Sequence, residues 1–86
     1  MSIIVELTYD LAKALGERRF EIDGPATLQD VLRLTQERFG VQAEVFDKLT
    51  RVTALVVNGV LVNHKHKNFQ LRDGDRVSFL KAAAGG

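Results

Sequence analysis

The residues whose chemistry stands out lie at the end of the chain, where Gly85 and Gly86 follow a run of three alanines, Ala82 to Ala84. Glycine has no Cβ and alanine only a methyl group, so this segment can enter a narrow cleft in which bulkier residues would clash. Its reactive group is the carboxylate of Gly86, which is ionised at neutral pH because an α-carboxyl has a pKa of roughly 3.3 to 3.7. The pattern indicates a carboxyl group presented to another protein, and a frayed chain end is the alternative.

The other candidate site is a basic loop that contains His64 and His66. Two imidazoles on one side of an extended segment could supply half of a zinc site, but the chain has no cysteine and no acidic cluster nearby to complete the ligand set. A solvated loop is therefore the favoured interpretation. The sequence also contains no phosphate-binding loop, no dinucleotide-binding glycine pattern and no plausible nucleophile, base and orienting residue, so we expect neither a catalytic residue nor a metal site.

The composition indicates a small, soluble globular domain. A chain of 86 residues is expected to form one domain, since a chain this small buries only about 60% of its unfolded surface. Hydrophobic residues make up 45% and charged residues 27%, and the net charge of +1 gives no overall attraction to nucleic acid or to a membrane surface. The lack of cysteine, of a membrane-spanning apolar run and of a signal peptide predicts a cytoplasmic protein.

The tail must be positioned by the element before it, which is a predicted strand over residues 76–80 that follows the turn Asp73-Gly74. Near the start of the chain, alternating apolar residues predict a first strand with Ile3, Val5 and Leu7 on one face. Residues 18–23 alternate in the same way and are expected to pair with that strand as a wide hairpin. Residues 9–16 between them show a pattern too short to predict a helix.

The central part of the chain predicts two helices and a hairpin. Thr27 and Asp30 resemble a capping box, so a helix is expected to begin at Leu28 and to end at Gly40. A shorter helix or a turn is predicted within residues 41–50. Residues 53–57 and 60–62 then form strands around Asn58-Gly59, which is the strongest hairpin signal in the chain. The apolar stripe of the first helix comprises Leu28, Val31, Leu32, Thr35 and Phe39.

The segment Leu71-Arg-Asp-Gly-Asp-Arg-Val, the strand after it and the closing Ala-Gly-Gly resemble the C-terminus of the MoaD/ThiS family of ubiquitin-like sulfur carriers. The small subunit of molybdopterin synthase is the most similar type. The resemblance implies an α+β fold of the β-grasp (ubiquitin-like) type, with a mixed sheet of four to five strands and one main helix on one face. It also implies that the first and last strands are adjacent and parallel, in a single domain over residues 1–86 with a flexible tail at about 82–86.

In that family the terminal carboxylate is adenylated by an ATP-dependent activating enzyme and converted to a thiocarboxylate, which a synthase subunit accepts as its sulfur source. The resemblance implies that Gly86 is the modified residue and that Gly85 and Ala84 form the tail that presents it. It further implies that the chain is a carrier rather than an enzyme and binds no cofactor, since ATP and magnesium are used by the activating partner. Neither nucleic acid nor a membrane is expected as a partner.

Two alternatives remain open at the level of sequence. A ubiquitin-like modifier would use the same activated Gly86 carboxylate to form isopeptide bonds with lysines of other proteins. A β-grasp interaction or RNA-binding module would carry an inert tail. The sequence does not separate these three functions.

A docking surface is predicted on the face of the sheet that the main helix leaves uncovered. Because successive side chains of a strand point to opposite faces, Ile4, Val56 and Leu80 are expected on that side. Leu80 lies just before the tail, so a partner bound there would also reach the Gly-Gly end. The residues expected beneath the helix are Val5, Leu55, Val57, Val77 and Phe79.

Overall fold

The computed structural model describes residues 2–25, 27–51, 53–62 and 68–81, with the side chains of residues 9, 10, 49 and 81 left undescribed. The predicted tail, residues 82–86, and the loop with His64 and His66 lie outside the described residues. The strands are β1 (Ser2–Leu7), β2 (Arg19–Asp23), β3 (Thr53–Val57), β4 (Val60–Val62) and β5 (Arg76–Lys81), and the helices are α1 (Tyr9–Leu15), α2 (Leu28–Phe39) and α3 (Ala43–Arg51).

The strands form one five-stranded mixed sheet in the order β2-β1-β5-β3-β4. Strands β1 and β5 run parallel, with Val5 opposite Val77, and the other neighbouring pairs are antiparallel. The first and last of the described strands thus lie side by side, with β5 at the centre of the sheet. This arrangement confirms the predicted α+β fold of the β-grasp type, with five strands and α2 as the longest helix.

One face of the sheet is buried, and the predicted alternation of its strands is confirmed. In β1, Ile3 and Val5 are fully buried while Ile4 between them is partly exposed. Phe79 of β5 has the largest of the fully buried side chains. The remaining residues expected on this face are also buried, namely Leu7, Leu55, Val57 and Val77, and α2 covers them with Leu28, Val31 and Thr35.

Helix α2 begins and ends where the sequence predicts. The backbone N–H of Asp30 donates to Thr27 Oγ1 and the backbone N–H of Thr27 donates to Asp30 Oδ2, both at 3.2 Å, which completes a capping box. At the other end Gly40 adopts the left-handed conformation with φ of 62°. These local signals determine the length of the helix, and burial of its apolar stripe determines which face lies on the sheet.

Replacing Thr27 with alanine is expected to lower the free energy of unfolding by about 1 kcal/mol, because the N–H of Asp30 loses its side-chain acceptor. Urea denaturation of the purified domain measures the change. Thr27→Ser keeps the hydroxyl and serves as the control, since serine caps helices as well as threonine does. Equal stability of the alanine and serine variants would mean that this cap does not contribute to folding.

The structure adds α1, which the short pattern in residues 9–16 did not predict. Thr8 caps the helix by accepting a hydrogen bond from the backbone N–H of Leu11 at 3.4 Å, and the side chains of Leu11 and Ala12 are buried. A helix this short is not stable through its own hydrogen bonds, so tertiary packing must supply most of its stability. The predicted helix in residues 41–50 is confirmed as α3, whose Phe46 is buried.

None of the helices in the described parts of the chain combines the length and the apolar character that crossing a membrane requires.

Candidate functional site

Strand β5 carries the chain towards the candidate modification site and is paired on both sides. On one side Lys81 lies opposite Thr53 of β3. On the other side Phe79 lies opposite Leu7 of β1, and the N–H of Thr8 donates to the carbonyl of Phe79 at 2.8 Å. Because neighbouring strands hold β5 almost to its last residue, the sheet determines the position at which the following residues begin.

The predicted modification residue, Gly86, and the predicted tail residues, Gly85 and Ala84, lie outside the described residues. Gly86 follows Lys81 by five positions, and an extended chain spans at most about 3.3–3.6 Å per residue, so the two Cα atoms can be at most about 18 Å apart. This length sets an upper limit on the distance between the end of the sheet and the predicted modification residue.

The uncovered face of the sheet carries an apolar surface next to the end of β5. Leu80 lies opposite Ala54 of β3, and Val56 of β3 lies opposite Leu61 of β4. Leu80 is 46% exposed and Leu61 is 69% exposed. Leu80 and Val56 are diagonal neighbours, a relation that places side chains about 7–8 Å apart on the same face. We call Ala54, Val56, Leu61 and Leu80 the outer apolar patch.

Ile4 faces the same side, as expected, but lies apart from the outer apolar patch. Its partners across the strands are Arg76 of β5 and Glu21 of β2. Arg76 Nε lies 3.3 Å from Glu6 Oε1, and Ser78 Oγ donates to the same oxygen at 3.4 Å. These polar groups lie between Ile4 and the patch, so the structure brings together only two of the three predicted docking residues.

The sequence prediction omitted Leu61 and Ala54, although the sequence contains the signal for Leu61. A two-residue turn at Asn58-Gly59 makes Val57 and Val60 partners, and the next pair outward is then Val56 and Leu61 on the opposite face. The positive φ of Asn58, 51°, and of Gly59, 84°, confirms the turn. The pairing that this turn imposes therefore identifies Leu61 as a residue that points away from the core.

A charged cluster with shifted pKa values lies away from this face. Arg38 donates to both carboxylate oxygens of Glu17 at 3.0 Å, and its guanidinium lies 4.5 Å from the centre of the Phe20 ring. The hydrogen bond from Arg38 holds the pKa of Glu17 below its usual value, and the same bond raises the pKa of Arg38. Phe20 in turn meets Phe39 edge to face. The cluster joins the loop after α1 to the end of α2. We therefore assign it a role in stabilising the fold.

In the parts of the chain that the structure describes, no group of three or more His, Cys, Asp or Glu side chains is placed to bind a metal ion. His64 and His66, which the sequence analysis considered as half of a zinc site, lie outside those parts. The candidate site therefore has two parts. One is the predicted carboxyl group of Gly86, which follows β5 in the sequence, and the other is the outer apolar patch next to the end of β5.

Comparison with known proteins identifies relatives over nearly the whole chain. The sequence model of the ThiS family matches residues 5–86. No curated protein matches the chain.

Several solved structures are similar. The small archaeal modifier protein 1 of Methanosarcina acetivorans is 18% identical with a TM-score of 0.78, and the match covers 99% of this chain and 96% of that one. A chain of the complex of subunits 1 and 2 of molybdopterin-converting factor from Helicobacter pylori 26695 is 26% identical with a TM-score of 0.66, and both chains are covered completely. A chain of the BexX/CysO complex from Amycolatopsis orientalis is 25% identical with a TM-score of 0.73, with 98% and 99% covered. Two of these three structures are thus complexes with a partner protein.

Proposed function

Because the chain belongs to the ThiS family of ubiquitin-like sulfur carriers, we propose that it carries sulfur as a thiocarboxylate on Gly86. The observation that supports this function is the family match over residues 5–86, which includes β5 and the closing Gly85-Gly86. Small subunits of this type work with partner enzymes. We extend this to the present chain: it is a carrier and not itself an enzyme, and it binds no cofactor of its own.

The proposed chemistry takes place on the Gly86 carboxylate within two partner sites. A carboxylate oxygen attacks the α-phosphorus of ATP in an adenylating enzyme, a new O–P bond forms, and pyrophosphate leaves with the help of magnesium bound by that enzyme. Sulfide supplied by a sulfur donor then attacks the carbonyl carbon, a C–S bond forms, the C–O bond to AMP breaks, and AMP leaves to give the thiocarboxylate. The chain contributes position, since the sheet fixes the start of the tail and so limits how far the carboxyl group can lie from the reacting phosphorus.

The proposed acceptor is a synthase subunit of cofactor biosynthesis, with molybdopterin synthesis favoured. The similarity to a chain of the two-subunit molybdopterin-converting factor complex, at 26% identity over the full length of both chains, supports this choice. The outer apolar patch is the proposed docking surface, because exposed apolar side chains next to one another are typical of the centre of a protein interface. Since Leu80 and the tail follow one another in the chain, a partner that covers the patch also encloses the start of the tail.

Replacing Leu80 with aspartate is expected to weaken binding to the synthase subunit by at least about tenfold, because a charge would lie in the desolvated centre of the interface. The free energy of unfolding is expected to fall by only about 1–2 kcal/mol, because nearly half of the Leu80 side chain is already exposed to water. Titration calorimetry with the large subunit of molybdopterin synthase measures the first quantity and urea denaturation the second.

Val60→Asp provides the matched control. Val60 is 65% exposed on the neighbouring hairpin, but it pairs with the buried Val57 and so faces away from the outer apolar patch. This variant is expected to bind normally. Equal binding by both variants would exclude the patch as the docking surface, and unfolding of the Leu80 variant would show that Leu80 contributes to the core.

The proposed function is tested by the intact mass of the protein purified from its native cell and of the protein incubated with ATP and its adenylating enzyme. We expect species that carry an added adenylate and species in which one oxygen is replaced by sulfur. If neither forms on Gly86, the carrier function is wrong.

The alternative function is that of a ubiquitin-like modifier. The structural matches to archaeal modifiers at under 25% identity show the fold alone. Covalent conjugates that disappear on deletion of Gly85 and Gly86 would favour the modifier function instead.

A further inference from the structure

The turn between β3 and β4 is joined to the start of β5 by the backbone and the side chain of Asn58. The backbone N–H of Asn58 donates to the carbonyl of Arg76, and the N–H of Arg76 donates to Asn58 Oδ1, both at 2.9 Å. Asn58 Nδ2 donates to Asp75 Oδ1, also at 2.9 Å. Both ends of the carboxamide therefore have a partner on the adjacent segment. We call these three hydrogen bonds the Asn58 clamp.

Asp75 is itself held in place to accept this bond. The backbone N–H of Arg72 donates to Asp75 Oδ2 at 2.7 Å, and the N–H of Ile4 donates to the carbonyl of Asp75 at 2.9 Å. The bond from Arg72, followed by that from Asn58, holds the pKa of Asp75 below its usual value. The carboxylate therefore remains charged at neutral pH, and a hydrogen bond to a charged acceptor is stronger than one to a neutral acceptor.

Asn58 is the asparagine in the sequence that is chemically most prone to deamidation. Asn58 precedes Gly59, whereas Asn63 precedes His64 and Asn68 precedes Phe69. A glycine has no side chain to shield its backbone nitrogen, and a Cβ placed on Gly59 would have no atom within 4 Å. The nitrogen of Gly59 can attack Asn58 Cγ with loss of its proton, so that a C–N bond forms, the bond to Nδ2 breaks, and Nδ2 takes up a proton and leaves as ammonia. Water then opens the resulting cyclic imide to aspartate or isoaspartate.

The reaction requires two conformational changes at Asn58, one of the side chain and one of the backbone, and the folded structure opposes both. The attack requires the carboxamide to rotate towards Gly59, which breaks its bonds to Asp75 and Arg76. It also requires the backbone to leave the turn, in which Asn58 has φ of 51°. The reaction can therefore proceed only from molecules in which the Asn58 clamp has opened, and local opening of an exposed turn requires less free energy than unfolding of the domain.

We propose that Asn58 is a site of spontaneous deamidation, that opening of the Asn58 clamp controls its rate, and that the hydrogen bond to Asp75 cannot reform afterwards. The product has a carboxylate where Nδ2 donated to Asp75, and two carboxylates at that distance repel each other. The β3–β4 turn then loses its side-chain link to Asp75, while the backbone pairing of β3 with β5 is retained. The reaction needs only water and does not depend on the proposed carrier function.

The test compares the rate of deamidation at position 58 in the wild type, in Asp75→Ala and in Thr27→Ala, incubated in mildly alkaline buffer. Peptide mapping by mass spectrometry measures the exchange of the amide for a carboxyl group, with Asn63 and Asn68 as internal references. Asp75→Ala removes an acceptor of the clamp and is expected to react at least about tenfold faster than the wild type, the factor that corresponds to loss of a hydrogen bond to a charged group. Thr27→Ala destabilises the domain without changing the clamp and is expected to react at the wild-type rate.

Two results would overturn the proposal. Equal rates in the wild type and Asp75→Ala would show that the clamp does not control the reaction. Equal acceleration in Asp75→Ala and Thr27→Ala would show that the reaction follows unfolding of the whole domain. If Asp75→Ala does not fold, Asp75→Asn, which keeps the size of the side chain but not its charge, replaces it and is expected to react faster than Thr27→Ala.

Discussion

Replacing Gly86 with valine is expected to lower the rate of adenylation by about a hundredfold or more and to leave the melting temperature unchanged. Valine keeps the carboxylate but adds a stiff, β-branched side chain beside the reacting carbon. The activating enzyme must hold the carboxylate oxygen about 3–3.5 Å from the phosphorus, and a misplacement of about 1 Å in such a reaction can reduce the rate on the order of a hundredfold. Pyrophosphate release on mixing with the enzyme and ATP measures the rate, and calorimetry of the same sample measures the melting temperature.

Ala82→Val is the matched control for this substitution. It introduces the same residue into the same segment, but four positions from the carboxylate. We expect nearly normal adenylation, because the reacting group can still be positioned. The buried hydrophobic residues of the described core all precede Leu80, so neither substitution is expected to destabilise the fold. Normal adenylation of the Gly86 variant would show that no narrow channel contacts the terminal residue, and a lower melting temperature would show that the tail stabilises the domain.

Replacing Phe79 with alanine is expected to lower the free energy of unfolding by about 3–5 kcal/mol, the usual range for removing a buried phenylalanine side chain. Phe79 is fully buried in the central strand, opposite Leu7 on one side and Leu55 on the other. A small domain has a total free energy of unfolding of only about 5–15 kcal/mol, so the variant would lose a large part of its stability. Guanidinium denaturation followed by circular dichroism measures the change.

Leu80→Ala is the natural comparison, because Leu80 is the next residue of the same strand and points to the other face. We expect this variant to lose about 1 kcal/mol or less, since nearly half of the side chain is already in contact with water. The two neighbouring residues would then have opposite roles, one in the core and one in partner binding. Similar losses in both variants would contradict the alternation of buried and exposed residues in β5.

The sequence predicts the elements of this fold where the signal is local. The reciprocal hydrogen bonds of Thr27 and Asp30, the left-handed Gly40 and the Asn58-Gly59 turn each depend on residues a few positions apart, and each is found as predicted. Helix α1 was missed because its stability depends on packing of Leu11 and Ala12, which a short pattern does not reveal.

Relations between distant strands could not be derived from the pattern. Alternation predicts that Ile4 points away from the core, and this is correct, but it does not predict that Arg76 and Glu21 are its neighbours. That depends on the register of strands far apart in the chain, which only the family resemblance constrained. For the same reason the parallel pairing of β1 and β5 came from the resemblance and not from periodicity.

The pairing of β5 on both sides also has a mechanical consequence. When a partner holds the tail and the two proteins separate, the pulling force acts along β5. Hydrogen bonds to β1 and β3 lie on both sides of β5 and run across the direction of the force. They are therefore loaded together in shear, and they do not break one after another. An edge strand in the same role would be peeled from the sheet more easily. For the proposed carrier, withdrawal of the tail from a partner would therefore load two ladders of hydrogen bonds, whereas an edge strand has only one.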